Sequence, residues 1–135
     1  MSLLSLVGRP IEILLVEDEP HEAELTILGL RDGRVRNRIH WVEDGEEALA
    51  FMRRQGRHAA APRPDLILLD LNMPRMNGLE AARRLTKLFP QTPIIMFTLY
   101  GTELSSADAV EAGIRVVLPK TVGHPANLDV QGLSF

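Results

Sequence analysis

Four short apolar runs in this chain end on residues able to do chemistry. Ile11–Val16 is followed by Glu17-Asp18-Glu19, and residues 66–69 by Asp70. Residues 93–97 are followed by Thr98, and residues 115–118 by Pro119-Lys120. If these runs are neighbouring strands, Glu17, Asp18, Asp70, the Thr98 hydroxyl and the Lys120 ammonium converge on one edge of a sheet. Carboxylates crowded in this way are costly unless positive charge neutralises them. Lys120 supplies one charge. A bound Mg²⁺ would supply the rest, because it favours a few carboxylates together with water and phosphate oxygens. A carboxylate beside such a metal can attack an incoming phosphoryl group, with the metal, Thr98 and Lys120 sharing the charge on its equatorial oxygens.

The elements needed to bring these residues together are legible in the pattern. The runs Ile11–Val16, 66–69 and 93–97 are continuously apolar, the mark of strands buried on both faces of a parallel sheet. Residues 38–42 and 115–118 are weaker strands. Helical patterns lie between them. Ala23, Ile27 and Leu30 share one face after Pro20. Asp44-Gly45-Glu46-Glu47 opens a helix carrying Ala48, Leu49 and Met52. Asn77-Gly78 precedes a stripe of Leu79, Ala82, Leu85 and Leu88. Leu104, Ala107 and Val110 predict a smaller stripe closed by Gly113 as a C-cap. Strands alternating with helices give a parallel sheet covered on both faces through right-handed crossovers. Ligands bind such sheets beyond the carboxyl ends of the strands, where the runs above terminate. The stretch 53–64, basic and then rich in Ala and Pro, predicts a long surface loop.

Composition removes other classes of function. The 135 residues predict one domain, and 45% hydrophobic with 24% charged residues is ordinary for a globular protein. A net charge of −3 gives no general affinity for nucleic acid or an anionic membrane, and no segment is long enough to span a bilayer. Without cysteine there is no disulfide scaffold, thiolate metal site or thiol nucleophile. The expected location is the cytoplasm. The four histidines, His21, His40, His58 and His124, show no metal-binding spacing and read as surface or loop residues. Trp41, in the weak second strand, reads as partly buried.

The motifs, taken in order, resemble the receiver domain of bacterial two-component response regulators. They are Ile13-Leu14-Leu15-Val16-Glu17-Asp18-Glu19, Asp65-Leu66-Ile67-Leu68-Leu69-Asp70-Leu71-Asn72-Met73-Pro74 with Asn77-Gly78, Phe97-Thr98, and Leu118-Pro119-Lys120. The long loop ending in Pro62-Arg63-Pro64 is similar to that of single-domain receivers that partner bacterial phytochrome kinases. The resemblance implies a flavodoxin-like doubly wound sheet of five parallel strands in the order 2-1-3-4-5, here with an eroded last helix. It divides the chain into an N-terminal extension (1–10), a receiver (11–120) and a C-terminal tail or irregular last helix (121–135). Asp70 would be the phosphoacceptor. Asp18 would bind Mg²⁺ directly, Glu17 largely through water, and Asn72 through its backbone carbonyl. Thr98 would hydrogen-bond the phosphoryl group, and Lys120 would pair with Asp70 and then with the phosphoryl oxygens. A cis Leu118–Pro119 bond would aim Lys120 at the site. The implied phosphodonor is a histidine kinase or a histidine phosphotransfer protein. The implied function is a switch in partner binding, homodimerisation included, rather than enzymatic turnover.

Three features depart from the family's pattern. Leu99 stands where a small residue usually admits the phosphodonor. Val117 occupies the position of an aromatic residue that moves with the threonine. The last helix, often a partner face, is poorly formed in the sequence. They keep open an alternative, a receiver-like interaction module phosphorylated slowly or not at all. A carboxylate phosphatase of the haloacid dehalogenase type also uses an Asp after an apolar strand, but it needs a second Asp where this chain has Asn72.

Overall fold

The computed structural model describes residues 9–33, 35–71, 73, 77–98 and 105–119. Five strands, β1 (Ile11–Val16), β2 (Asn37–Val42), β3 (Leu66–Asp70), β4 (Ile94–Thr98) and β5 (Ile114–Pro119), form one sheet in the order β2-β1-β3-β4-β5. Every pairing is parallel. Helices α1 (Pro20–Arg31), α2 (Gly45–Arg53), α3 (Gly78–Leu88) and α4 (Ser106–Glu111) make the crossovers. This is the parallel sheet covered on both faces that the alternation of patterns predicts, in the flavodoxin-like order that the family resemblance implies.

The continuous apolar runs conceal a two-residue period that serves two cores. Leu14, Val16, Ile67, Leu69, Ile94 and Met96 face one side, against Leu49, Phe51 and Met52 of α2 and Ala81, Ala82 and Leu85 of α3. Ile13, Leu15, Leu66, Leu68, Ile95 and Phe97 face the other side with Ala23 and Leu30 of α1. The central strands β3 and β4 are buried throughout, whereas the edge strands β2 and β5 are not. Edge position explains why those two carry the weaker apolar signal.

Each helix is started by a side chain that accepts the backbone N–H three residues on. Glu19 receives Glu22 N–H at 2.7 Å, Asp44 receives Glu47 N–H at 2.8 Å, Asn77 receives Glu80 N–H at 2.9 Å and Ser105 receives Asp108 N–H at 3.1 Å. These caps satisfy donors that the helices leave open and fix where each strand-to-helix loop ends. At the other end of α4, Gly113 takes φ 81°, as its expected capping role requires.

Several expectations need correction. The α4 stripe is not buried: Ala107 is exposed and Val110 is 76% exposed, while Ala109 and Ala112 point inward. A helix of six residues has too few turns to present a long stripe, and Leu104 lies outside the described residues. Leu88 is exposed because Phe89, one residue on, turns against the core in its place. There is no cis peptide bond among the described residues, so Leu118–Pro119 is trans. Trans is the form ordinarily favoured before proline, and β5 runs straight on to place Pro119 opposite Thr98. His40 and His58 are not free surface residues. His40 Nε2 lies 2.6 Å from Glu12, and His58, its side chain 11% exposed, lies 2.7 Å from Glu47 and packs on Phe51. Loop 53–64 thereby gains an anchor, and a single 3₁₀ turn, Gly56–His58, forms inside it.

Two carboxylates tie the fold together below the sheet and in that loop. Asp65, just before β3, accepts two hydrogen bonds from Arg9 at 2.9 and 3.1 Å and one from Glu12 N–H at 2.8 Å. Burial raises the Asp65 pKa, but the Arg9 and Glu12 hydrogen bonds and the Arg9 charge together outweigh it and hold the carboxyl below its ordinary value. Glu47 is held low first by the hydrogen bond from His58 and then by Arg57. A folded-state pKa below the unfolded one gives stability that is present above the ordinary carboxylate range and lost as pH falls through the folded value. Urea midpoints should therefore fall between about pH 5 and about pH 3. In Asp65→Asn the fall should be shallower, from a lower starting stability. A variant slope equal to that of the wild type would show that Asp65 does not carry the effect.

Candidate functional site

The pairing of β1 with β3 sets Val16 opposite Leu69, so the next residues, Glu17 and Asp70, emerge side by side. Asp70 pairs with Phe97 of β4, and Thr98 follows at the end of that strand. Glu17, Asp18 and Asp70 each present a carboxylate oxygen within 4.8 Å of the other two. Glu17 and Thr98 are fully buried, Asp70 is 2% exposed, and Asp18 faces solvent in part. Of the residues predicted for the site, Glu17, Asp18 and Asp70 are thus brought together, with Thr98 at the end of the strand beside Asp70. The carbonyl of Asn72 and the ammonium of Lys120 lie outside the described residues, as do Leu99 and the tail or last helix expected over 121–135.

Three carboxylates this close, two of them buried, form a donor set for a hard divalent cation. Oxygen ligands on neighbouring strand ends fit Mg²⁺, which keeps part of its water shell and accepts phosphate oxygens. Asp18 is partly exposed, so its carboxylate could meet a cation entering from solvent. Glu17 is turned inward, and its Oε1 accepts Glu19 N–H at 3.2 Å. Glu19 itself caps α1 and is not in the cluster. Acids at a helix start favour the positive end of its dipole, so one acidic tripeptide serves two purposes.

Two further residues shape the site. Trp41 Nε1–H donates to the Glu17 carbonyl at 2.8 Å. Gly78 opens α3 against the backbone of Asp70 and Leu71, and its N–H donates to Leu71 C=O at 2.8 Å. The Asn77-Gly78 pair was visible in the sequence, but the contact of Gly78 with the acceptor strand spans a loop and carries no local signature. Trp41 offered one signal, a polar-tipped aromatic in the weak second strand.

A doubly wound sheet with a carboxylate cluster and a buried hydroxyl at its carboxyl edge defines the class of protein. The chain belongs to the response regulator receiver domain family, whose model matches residues 13–129. It is 31% identical over 114 residues to response regulator Rcp1 of Synechocystis sp., which covers 83% of this chain and 78% of that protein. The Mn²⁺-bound structure of Rcp1 superposes with a TM-score of 0.78 at 30% identity, over 91% of each chain. The phosphorylated cyanobacterial phytochrome response regulator RcpA gives 0.76 at 29% identity, over 85% of this chain and 84% of that one. A protein-glutamate methylesterase/protein-glutamine glutaminase of Hahella chejuensis is 35% identical over 120 residues, 85% of this chain but 32% of that protein. The chain therefore spans about a third of that relative's length. Receiver domains are regulatory switches rather than enzymes. Among the described residues no helix is long and apolar enough to cross a membrane.

The Gly78 contact gives a direct test of how the acceptor strand is held. A Cβ at residue 78 would lie 2.6 Å from Leu71 Cα and would run into the Asp70 carbonyl. Both obstacles are backbone, so relief requires α3 or the end of β3 to move. Gly78→Ala should lower stability by about 1–3 kcal/mol, read as a lower urea midpoint with unchanged slope. A wild-type midpoint would mean that the loop yields freely.

Proposed function

We propose that this chain is a single receiver domain that accepts a phosphoryl group on Asp70 in a Mg²⁺-dependent reaction and thereby switches partner binding. The observation that carries this reading is the convergence of the Glu17, Asp18 and Asp70 carboxylates within 4.8 Å at one sheet edge. In it residues 11–120 are the receiver, 1–10 an extension and 121–135 a tail or irregular last helix. Asp18, Asp70 and the Asn72 carbonyl would hold the cation directly, and Glu17 largely through water. When bound, Mg²⁺ offsets the clustered negative charge and that of the phosphoryl oxygens.

An Asp70 carboxylate oxygen attacks phosphorus while the P–N bond of a phosphohistidine breaks. The imidazole departs and takes up a proton, and the product is an aspartyl phosphate. Thr98 donates its hydroxyl to one phosphoryl oxygen, and Lys120 pairs with another. The donor is a histidine kinase or a histidine phosphotransfer protein, and likeness to Rcp1 and RcpA favours a phytochrome-linked kinase. A cytoplasmic location accords with such a partner.

One observation favours the alternative of an interaction module with slow or absent phosphorylation. Val117, at the position of the family's mobile aromatic, is half-buried against the core and has no ring to swing. Acetyl phosphate decides between the two. With Mg²⁺, intact-mass analysis should show one phosphoryl adduct, absent in Asp70→Asn and on chelation by EDTA. No adduct on the wild type, or one that survives Asp70→Asn, would overturn the phosphoacceptor reading.

A further inference from the structure

We propose that Trp41 is a positioning residue for the cation site, acting through the Glu17–Asp18 peptide. This rests on reading the acidic cluster as that site. Strand β2 holds Glu17 by both of its peptide groups. Its N–H donates to Val42 C=O at 3.0 Å, and its C=O accepts the Trp41 indole N–H at 2.8 Å. That carbonyl belongs to the peptide leading into Asp18, so the indole fixes the plane from which the Asp18 carboxylate projects. Trp41 pairs with Leu15 in the β1–β2 register, two residues before Glu17, which brings its ring level with the loop.

The exposure of Trp41 separates this role from ordinary packing. The residue is 37% exposed on an edge strand, so burial alone does not hold the ring, while its polar tip is committed to one acceptor. A tryptophan in such a place spends its N–H on the group that needs fixing. Like charge on Glu17, Asp18 and Asp70 favours outward displacement of the loop that carries Asp18. The indole tether opposes that displacement, so less ordering is left to be done when a cation binds. Removing one hydrogen bond of ordinary strength corresponds to roughly 2- to 10-fold in affinity.

The chain has one tryptophan, which gives one indole signal. In ¹⁵N-labelled wild type, the Trp41 indole N–H resonance should shift on titration with MgCl₂, along the same curve as the Asp18 amide. Trp41→Phe keeps a ring but not the donor. Its Mg²⁺ dissociation constant by calorimetry should rise roughly 2- to 10-fold. Its thermal midpoint in EDTA should stay near the wild-type value, and its rate with acetyl phosphate should recover at saturating Mg²⁺. A folded Trp41→Phe with wild-type affinity overturns the role of Trp41 and leaves the site intact. So does an indole resonance that stays still while the Asp18 amide moves, a result that needs no variant to fold. A wild-type chain with no Mg²⁺-dependent change overturns the reading of the acidic cluster, and this inference with it.

Discussion

The register of β1 against β3 opposes Val16 and Leu69, and the next residue on each strand is an acid. That single alignment forces Glu17 and Asp70 together at the centre of the sheet, where both are buried. Adding Asp18 from the following loop makes a local charge that no part of the hydrophobic core can relieve. The remainder of the fold can be understood as what holds this arrangement in place. The three central strands are the most apolar in the chain and bury both faces, so the strand ends cannot slide apart without exposing two cores at once.

Around the cluster, separate elements each fix one piece of backbone. Glu19 commits its side chain to the start of α1 and leaves Glu17 and Asp18 to the acidic cluster. Strand β2 holds the Glu17 peptides on one flank. Gly78 lets α3 lie directly on the Asp70 and Leu71 backbone on the other, an approach that any side chain would block. These contacts cost little individually. Together they keep three like charges near one another in a protein whose ends of strands would otherwise splay.

Much of this was legible in the sequence because strand ends announce themselves. An apolar run that stops on an acid names both the strand and the residue at its tip, as with Ile11–Val16 before Glu17 and the run before Asp70. What failed was whatever depended on where an element ends or on a partner that no periodic pattern marks. Val110 fits a helical stripe by spacing, yet the helix is too short to use it. Leu88 yields to Phe89 because the chain turns after α3. His58 looks like a loop residue until Glu47 and Phe51 are seen beside it. Trp41 and Gly78 act on the site through a loop carbonyl and a helix–strand contact, neither of which leaves a periodic trace.

Val117 poses the remaining structural question, how a change at Thr98 reaches the surface. A half-buried valine offers neither a ring that can rotate nor a polar tip that can exchange partners. One set of contacts outward from the acceptor strand, among the described residues, passes through α3. Its first residue lies on Asp70, and its far end is pinned to the α4–β5 turn, where Thr86 donates to Ala112 C=O at 3.0 Å and Arg83 meets Glu111 at 2.8 Å. Gly113 closes the same turn so tightly that a side chain there would collide with Thr86. In this chain α3 thus links the Asp70 backbone to the α4–β5 turn, near the exposed Val110, in a fold with a valine at the position where the family's pattern places an aromatic.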